Sequence, residues 1–321
     1  MKKLITIALV GIQLVFVGCQ KKTSETENSD SLRGTITVSG AWALYPMVVK
    51  WAEEFQVLHP EVKIDVAAGG AGKGMADTLA GAVDIGMVSR DINPAETEKG
   101  ACGFAVTKDA VVPTLNASNP LCGQVLAQGI KKQTLMDIWI HGKVKNWAEV
   151  VNAPGSHPIS VYTRSDACGA AEVWAKYLGG KQEDLTGVGV YGDPGLAEAV
   201  KKDALGIGYN NVNFAYDAQT KKPIEPLCIV PIDLNDNGQI DPEENFYGSL
   251  EEILTAIRED RYPSPPARQL YLVTKGVPQG NLVREFLLWI LTDGQQYVTE
   301  TGYINLKNEQ LELEKQKLVT Q

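Results

Sequence analysis

The chain has 321 residues, of which 44% are hydrophobic and 21% are charged, and its formal net charge is −9 at pH 7. That length exceeds one typical domain and suits two lobes, and the composition is that of a soluble globular protein rather than a disordered chain. The acidic balance argues against a nucleic-acid partner, because no basic stripe is available to displace counterions from phosphates. A small anion stays possible, since salt screens distant charges and a local group of Arg side chains and backbone N–H groups acts at short range.

The first residues are typical of an export signal. Two lysines precede an apolar run over residues 4–17, which is too short for a transmembrane span, and Gly18 and Cys19 end it. We therefore predict a signal peptide over 1–18 and lipidation of Cys19; the alternative is an ordinary cleaved signal beside a chance cysteine. Residues 19–32 are polar and lack a packing pattern, so we expect a flexible, lipid-anchored tether. The protein is predicted to be exported and membrane-anchored, facing the periplasm or the cell exterior.

Alternating apolar residues in the first part of the body predict three strands, over 34–39, 62–68 and 84–89. Pro46 suits the first turn of a helix that follows the first strand, because its missing N–H has no helical partner there. A glycine-rich turn and a helix over 75–81 follow the second strand. The long apolar run over 106–116 is predicted to pass between the lobes.

The second part of the body repeats this alternation. It predicts helices over 134–142 and 170–179, and strands over 159–165, 206–211 and 269–276. A strongly amphipathic helix is predicted over 281–302, and the charged tail over 306–317 is expected to be a solvated, helix-prone end. Because strand–turn–helix units favour parallel sheets, a ligand is expected at the carboxyl ends of the strands.

Four cysteines follow the leader, namely Cys102, Cys122, Cys168 and Cys228. An exported chain can form disulfides, and four cysteines allow three complete pairings among which sequence alone does not choose. We prefer Cys102–Cys122, because these two flank one strand-like run. Metal ligation by cysteine is not expected, since no CxxC pair is present.

Three strand-to-helix turns share one design, at residues 40–45, 69–74 and 166–169. The first N–H groups of a helix have no partner within it, and its N-terminus carries roughly half a positive charge. Several glycine-opened turns around one cleft would therefore surround an oxyanion with donors. Arg90 and Arg164 adjoin these turns, and Arg grips an oxyanion with two parallel hydrogen bonds. The alternative is that each turn is only tight and each Arg only a surface ion pair.

Three residues near these turns allow more than one interpretation. Asp166 follows Arg164 by two positions and either holds its guanidinium or caps the next helix. Lys73 within GGAGKG suggests a phosphate loop, which we reject because Gly74 stands where Ser or Thr would bind magnesium. Cys168 begins a helix, where a thiolate is favoured, so it is a reactive thiol or else a buried donor or disulfide partner.

Seven motifs carry a resemblance to a known family. They are Gly40 through Tyr45-Pro46, GGAGKGM, VDIGMVSR, Arg164-Ser165-Asp166, KKDALGIGYNN, SPPARQLYLVTKG and FLLWILTDGQQYV. Their order and spacing resemble the periplasmic phosphate-binding proteins of ABC transporters, from about Gly34 to Leu306. The resemblance implies capture of an inorganic oxyanion, with phosphate first among them, and its delivery to a membrane permease.

The resemblance also implies the fold class. We expect an α/β, two-lobed type II periplasmic-binding-protein fold, with mostly parallel sheets and a hinge of two crossovers. The crossovers are expected near 112–118 and 262–270. Lobe 1 would comprise 33–113 together with 267–321, and lobe 2 would comprise 114–266.

The predicted ligand site draws on both lobes. It comprises Ala43, Leu44, Tyr45, Gly70, Ala71, Gly72, Lys73, Ser89, Arg90, Arg164, Asp166, Cys168 and Gly169. The expected partners are the oxyanion, a permease in the membrane and the lipid anchor, with no nucleic acid.

The chain departs from the family's pattern where the family carries hydroxyl donors and a proton acceptor. The hydroxyl positions are occupied by Leu44, Ala71, Gly72, Cys168 and Ala170. Arg90, followed by Asp91, stands where many members place an Asp that accepts a proton from phosphate. Arg164 and Asp166 match the pattern, and Arg164 is expected to be the principal charge partner. Without an acceptor, a site does not distinguish protonated phosphate from sulfate.

A separate segment, DLNDNGQIDPEE over 233–244, matches a twelve-residue calcium loop. Its oxygen ligands would be Asp233, Asn235, Asn237, Gln239 through its carbonyl, Asp241 and Glu244. Gly238 stands at the sixth position, where the loop turns sharply. The alternative is an Asn-Gly hairpin with solvated acids. No flanking helices are evident, so we predict a structural Ca²⁺ rather than a sensor.

We predict that the chain is not an enzyme. Its three histidines are His59, His141 and His157, none of which pairs with a nucleophile in a motif, and no GxSxG, HExxH or GxGxxG occurs. Two classes of function stay open. One is a transport receptor that closes over an anion; the other is a lipid-anchored sensor or scaffold of the same fold, with another anion or no transported ligand.

Overall fold

The computed structural model describes residues 32–319. The predicted signal peptide over 1–18, the predicted lipidation of Cys19 and the predicted tether up to residue 31 lie outside the described residues. Within 32–319, none of the helices is both long and apolar enough to span a bilayer.

Strands and helices alternate along the described chain. The strands are β1 (Gly34–Gly40), β2 (Val62–Ala68), β3 (Ile85–Val88), β4 (Ala101–Asn116), β5 (Ile130–Lys131), β6 (Ser160–Arg164), β7 (Val188–Val190), β8 (Gly206–Asn211), β9 (Leu227–Ile229), β10 (Ile232–Asp233) and β11 (Ala267–Lys275). The helices are α1 (Tyr45–Leu58), α2 (Ala71–Ala80), α3 (Pro94–Glu98), α4 (Cys122–Gln128), α5 (Lys132–Trp139), α6 (Trp147–Val151), α7 (Gly169–Tyr177), α8 (Gly192–Lys202), α9 (Val212–Ala215), α10 (Leu250–Arg258), α11 (Asn281–Ile290) and α12 (Asn308–Val319). Short 3-10 turns lie at Trp42–Leu44, Gln182–Asp184 and Asp293–Tyr297.

The main sheet has the strand order β2-β1-β3-β11-β4-β8-β6-β7, with β9 also paired to β4. The outer strands are parallel: β1 pairs with β2 and β3, and β6 pairs with β7 and β8. The central pairs β3–β11, β11–β4 and β4–β8 are antiparallel. The α/β class is therefore confirmed, and the departure from parallel pairing lies at the centre, where β11 returns against β4.

Two separate hydrophobic cores flank this centre. One core, which we call lobe 1, holds Trp51 and Phe286; the other, lobe 2, holds Trp139 and Trp174. Both cores exclude water from large aromatic side chains, the burial that contributes most to folding stability.

Strands β4 and β11 each contribute to both cores. On β4, Val106 packs in lobe 1 and Ala110 in lobe 2, and on β11 Leu270 packs in lobe 1 and Ala267 in lobe 2. The change on β4 lies before the expected crossover at 112–118, because a single 16-residue strand runs through both cores. The lobe limits predicted from sequence stay a prediction.

A buried ion pair joins β4 to β11 at this passage. Arg268 donates to both carboxylate oxygens of Asp109, over 2.9 and 3.2 Å, and also to Asn211 of β8. Burial raises the pKa of Asp109 to about 6, while Arg268 acts in the opposite direction. The two crossing strands are thus held together by a charge pair withdrawn from solvent.

The C-terminal segment differs from its predicted form. The helix expected over 281–302 ends at Ile290, and a 3-10 turn follows. Trp51 donates to the Gly294 carbonyl over 2.7 Å, so this turn is fixed by lobe 1. The tail is helical in α12 but not simply solvated, since Leu311 and Leu318 are buried.

The preferred Cys102–Cys122 pairing is wrong in this structure. Cys102 packs on lobe 1, whereas Cys122 lies in the core of lobe 2, where its sulfur is 3.5 Å from that of Cys228. The run between Cys102 and Cys122 is mostly β4, and an extended strand advances roughly 3.3 Å per residue. The extended strand therefore places Cys102 and Cys122 far apart.

Candidate functional site

The three predicted turns meet between the lobes. A Cβ on Gly70 would lie 2.8 Å from the Ala167 carbonyl and 2.9 Å from Asp166 Oδ2. A Cβ on Gly169 would lie 2.1 Å from the Ser89 carbonyl. The N-termini of helices from lobe 1 and lobe 2 therefore contact each other through glycine backbone, where a side chain would not fit.

A fourth turn of the same design opens α8 and was missed from sequence. Gly192 begins this helix with a φ of 72°, and a Cβ there would lie 3.2 Å from the Trp42 ring of the first turn. The sequence signal was available, because YGDPG follows the short strand β7 in the way that the other turns follow theirs. That strand has only three residues, too few for a periodic pattern.

The first turn offers backbone rather than side chains. Ala43 and Leu44 are buried in the 3-10 turn, and Tyr45 begins α1. Leu44 N–H donates to the Ala41 carbonyl and Tyr45 N–H to the Trp42 carbonyl, so these two N–H groups are engaged within the turn.

The second turn presents Gly70, Ala71 and Gly72 at the start of α2. Gly70 has a φ of 90°, which favours glycine, and Gly72 N–H donates to the Ala167 carbonyl over 3.1 Å. The ammonium of Lys73 pairs with Asp77 four residues on, and Asp77 also accepts from Ser39 Oγ over 2.6 Å. The charge of Lys73 is therefore matched by its own helix.

Arg164 is enclosed by two carboxylates. It donates from Nε and Nη2 to Asp166 over 2.8 and 2.6 Å, and from Nη1 to Asp193 over 2.5 Å. Its side chain is 0% exposed. Burial disfavours the charged guanidinium, but Asp193 and Asp166 outweigh burial and raise the pKa of Arg164 above its ordinary value. Of the two roles considered for Asp166, the structure shows the one that holds the guanidinium.

Arg90 joins the two lobes. It pairs with both carboxylate oxygens of Glu96 on α3 in lobe 1, over 2.9 and 2.7 Å. Its Nε lies 3.0 Å from the carboxylate of Glu172 on α7 in lobe 2. Burial raises the pKa of Glu172, while Arg90 acts in the opposite direction. A second and more exposed pair, Lys176–Asp91 at 2.9 Å, spans the same boundary.

Cys168 caps α7 as a neutral thiol. Its sulfur accepts from Ala171 N–H over 3.4 Å, and burial raises the pKa of the thiol to about 12 despite the nearby Arg164. A thiolate nucleophile is therefore disfavoured at neutral pH, and the buried capping role is the one supported. Gly169 follows as the first residue of the helix, beside the buried Ser89.

A cleft of about 540 Å³ opens to solvent at this junction. Its walls include Gly72 and Arg90 from lobe 1, and Cys168, Glu172 and Lys176 from lobe 2. Both signs of charge line it, so the cleft itself carries no excess of positive side chains.

The chemistry of the junction follows from these pairs. Each guanidinium faces two carboxylates, so positive potential comes mainly from the N-termini of α1, α2, α7 and α8. Asp166 accepts from Arg164 through both oxygens and from Gly192 N–H through Oδ1, and its Oδ2 lies beside Gly70. The junction thus combines N–H donors with a carboxylate acceptor, the pairing that an oxyanion carrying a proton requires.

The segment over 233–244 folds as a closed loop. Asp233 accepts from Gly238 N–H over 2.8 Å, and Glu244 accepts from the N–H groups of Leu234 and Asn235. Asp241 accepts from the side-chain amides of Asn235, Asn237 and Gln239. Gly238 has a φ of 83°, as expected for a glycine at a sharp turn.

Two acidic side chains of the loop are buried. Asp233 and Glu244 are 2% and 5% exposed, and in the part of the chain that the structure describes neither they nor Asp241 form an ion pair. Within the same residues, no three acidic, Cys or His side chains gather as a preformed metal site. A bound cation would therefore have to draw the carboxylates inward.

Comparison with family models confirms the resemblance found in the motifs. A model described as the PBP superfamily domain matches residues 25–294. The phosphate-binding protein PstS of Bacillus subtilis is 28% identical over 314 residues, covering 94% of this chain and 93% of the relative. PstS of Methanocaldococcus jannaschii is 25% identical over 370 residues, covering 95% and 92%.

Solved structures share the fold. A phosphate ABC transporter substrate-binding protein of Clostridium perfringens, solved with bound phosphate, superposes with a TM-score of 0.69 at 22% identity. The match covers 85% of this chain and all of that one. An ABC-type phosphate transport receptor of Vibrio cholerae gives a TM-score of 0.61 at 18% identity, with the same two coverages.

Proposed function

Because the chain belongs to the PBP superfamily, we propose that it is an extracytoplasmic receptor that captures an inorganic oxyanion, phosphate first, for an ABC transporter. The observation that carries the proposal is the meeting of four helix N-termini, from both lobes, around Gly70, Gly169 and Gly192. The curated relatives are named phosphate-binding proteins and match over more than nine-tenths of both chains, which supports the ligand. Two of the solved structures that share the fold are named as ABC-type phosphate transport proteins, which supports the partner.

The carboxylates beside Arg164 favour phosphate over sulfate. At neutral pH phosphate carries a proton and sulfate does not, so an acceptor in the site binds one and repels the other. Sequence analysis found no such acceptor. We assign the role to Asp166, whose Oδ2 lies beside Gly70, with Asp193 holding the far side of the same guanidinium.

Calorimetry with phosphate, sulfate, molybdate and tungstate tests this function. We expect binding of phosphate, and no binding of sulfate at the same concentration. Asp166→Asn, which also loosens Arg164, is expected to reduce the preference for phosphate over sulfate as well as the affinity. If none of the four anions produces heat on titration, the receptor function is refuted.

The alternative is a sensor or scaffold of the same fold. The observation that favours it is the complete pairing of both guanidinium groups, Arg90 and Arg164, with carboxylates of the protein. The calorimetric series separates the two functions, because a scaffold without a ligand gives no heat and no change in solution scattering, whereas a receptor compacts as its lobes close. Neither function includes a chemical step.

We also propose that the chain is held at the membrane through Cys19. The apolar run and the Gly-Cys that ends it support this anchor. Cys19→Ser should move the protein from the membrane fraction to the soluble fraction, and an unchanged distribution would count against lipidation.

We propose that the loop over 233–244 binds one structural Ca²⁺. The support is the complete match in ligand spacing, the positive φ of Gly238, and the burial of Asp233 and Glu244 without an ion-pair partner among the residues described. A buried carboxylate without a cation is unfavourable, and a hard cation with oxygen ligands would relieve it. Seven-fold coordination would recruit the carbonyl of Gln239.

Thermal melting in calcium and in chelator tests the loop. We expect Ca²⁺ to raise the melting temperature, and Asp233→Asn together with Glu244→Gln to abolish the rise. Identical melting curves of the wild type in the two conditions would show that the loop is a hairpin with no cation.

A further inference from the structure

Two thiols in lobe 2 lie side by side although 106 positions separate them. The sulfur of Cys122, at the start of α4, is 3.5 Å from the sulfur of Cys228 on β9. The two remaining described cysteines lie elsewhere: Cys102 packs on lobe 1, and Cys168 caps α7.

The pair is placed for oxidation rather than for metal binding. Among residues 32–319, no third acidic, Cys or His side chain completes a metal site with these sulfurs. Cys228 is partly exposed and pairs with Leu115 of β4, while Cys122 is buried. The two sulfurs would have to approach from 3.5 Å to about 2.05 Å to form a bond.

The two thiols differ in acidity. The hydrogen bond from Cys122 stabilises the Cys228 thiolate and lowers its pKa, and the same bond raises the pKa of Cys122. The thiolate is the attacking form in thiol–disulfide exchange. The partly exposed member is thus also the nucleophilic one.

We propose that Cys122 and Cys228 form a disulfide in the exported protein. The co-reactant is a small or protein disulfide of the extracytoplasmic space. Cys228 thiolate attacks one sulfur of that disulfide and expels the other as a thiolate. Cys122 then gives up its proton and attacks Cys228, which forms the bond and expels the second thiolate. Two electrons pass to the oxidant, which leaves as two thiols.

The bond would fasten α4 to the β4–β9 edge of lobe 2. A covalent link between distant positions restricts the unfolded chain, so its effect grows with the length of the loop that it closes. Lobe 2 would gain stability, and the junction with lobe 1 would be untouched, because neither sulfur lines the cleft. Formation in the cell rests on the proposed export, since the cytosol keeps thiols reduced.

Peptide mapping of the full chain tests the bond. The purified protein is incubated with oxidised glutathione, unfolded, alkylated with iodoacetamide and digested without reductant. We expect one linked peptide pair containing Cys122 and Cys228, with Cys102 and Cys168 alkylated. Reduction should lower the melting temperature by roughly 5 °C or more. Phosphate calorimetry on the same oxidised sample reports on the ligand site independently of the thiols.

Two matched variants sharpen the result. Cys102→Ser should retain the linked pair and its melting temperature difference, whereas Cys228→Ser should lose both and leave Cys122 alkylated. Alkylation of both Cys122 and Cys228 in the oxidised wild type would overturn the proposal. So would a link from Cys122 to any sulfur other than that of Cys228. The wild-type map decides the question even if Cys228→Ser fails to fold.

Discussion

The guanidinium of Arg164 lies between two carboxylates contributed by different segments. Asp166 is two residues away, and its contact with Arg164 was one of the two roles that this spacing offered. Asp193 is 29 residues away and reaches Arg164 only because β6 and β7 run parallel, which brings the turns after both strands to one edge. The contact of Arg164 with the nearby Asp166 could therefore be foreseen, whereas its contact with Asp193 depends on the order of the strands in the sheet.

Arg164→Ala should destabilise the fold as well as the site. It would leave Asp166 and Asp193 buried without a cation, and breaking a buried pair in this way costs about 3–5 kcal/mol. We expect that loss in the free energy of unfolding measured with urea. Lys73→Ala is the control, because the side chain of Lys73 is 49% exposed and its pair with Asp77 contributes at most about 1 kcal/mol. Equal stability of both variants would contradict the buried pair.

Ionisation of Asp109 makes the free energy of unfolding depend on pH. Its folded-state pKa of about 6 exceeds the value of 3.8 for an unperturbed Asp, so the folded state binds the proton more tightly than the unfolded state. Its contribution to the free energy of unfolding therefore falls as the pH rises from about 4 to about 6. Relative to Asp109→Asn, the wild type should lose about 2 to 3 kcal/mol over that window, at about 1.4 kcal/mol per pKa unit.

Urea denaturation of both proteins between about pH 4 and pH 7 measures this difference. Other carboxylates titrate in both proteins and cancel. A difference that stays constant, or that moves in favour of the wild type as the pH rises, would disagree with a raised pKa for Asp109.

At the scale of elements, periodicity predicted which segments are helices and strands, but not where contacts end them. Residues over 281–302 read as one amphipathic helix, yet α11 stops at Ile290, and Gly294 packs on Trp51. The tail of α12 places Leu311 and Leu318 seven residues apart on one buried face. Both outcomes follow from packing on lobe 1, which a single segment's sequence does not display.

The first residue of α7 determines how closely the lobes approach. A Cβ on Gly169 would lie 2.1 Å from the Ser89 carbonyl, a distance that requires the lobes to separate. We expect Gly169→Ala to weaken phosphate binding by about 1–3 kcal/mol, the usual effect of an inserted methyl group in packed surroundings. Solution scattering should show this variant remaining extended when phosphate is added.

Gly123→Ala is the matched control for this substitution. Gly123 also lies in the first turn of a helix, and no atom lies within 4 Å of the position its Cβ would take. It should bind phosphate as the wild type does and gain up to about 1 kcal/mol of stability from helix propensity. Compaction of Gly169→Ala to the wild-type dimension would show that the lobes do not close through this contact.

At the scale of the whole molecule, the sequence predicted two lobes and a run over 106–116 that passes between them, but not the point on that run at which one core gives way to the other. β4 runs from Ala101 to Asn116 without interruption, so its apolar residues gave no sign of the point at which one core ends. Antiparallel pairing of β11 with β4 likewise depends on the chain returning from lobe 2. Neither feature has a local signal, because each depends on which distant segments pack against β4.

The role of Arg90 is the remaining property of the molecule as a whole. The position of Arg90 beside a strand-to-helix turn predicted an anion ligand, whereas the structure shows it bound to Glu96 of lobe 1 and Glu172 of lobe 2. These two roles predict opposite effects for Glu172→Gln. If Arg90 binds the anion, loss of a competing carboxylate strengthens phosphate binding. If Arg90 holds the closed lobes together, loss of its partner in lobe 2 weakens binding.

We expect Glu172→Gln to weaken phosphate binding several-fold, because an ion pair that links two lobes favours only the closed state. Glu183→Gln is the matched control: Glu183 lines the same cleft, is exposed, and makes the same change of charge without contacting Arg90. Calorimetry at low and high salt distinguishes a local link from long-range attraction, since salt screens the latter. If Glu172→Gln binds phosphate more tightly than Glu183→Gln does, Arg90 is an anion ligand rather than a link between the lobes. The closed state would then be stabilised by the backbone contacts of Gly70 and Gly169.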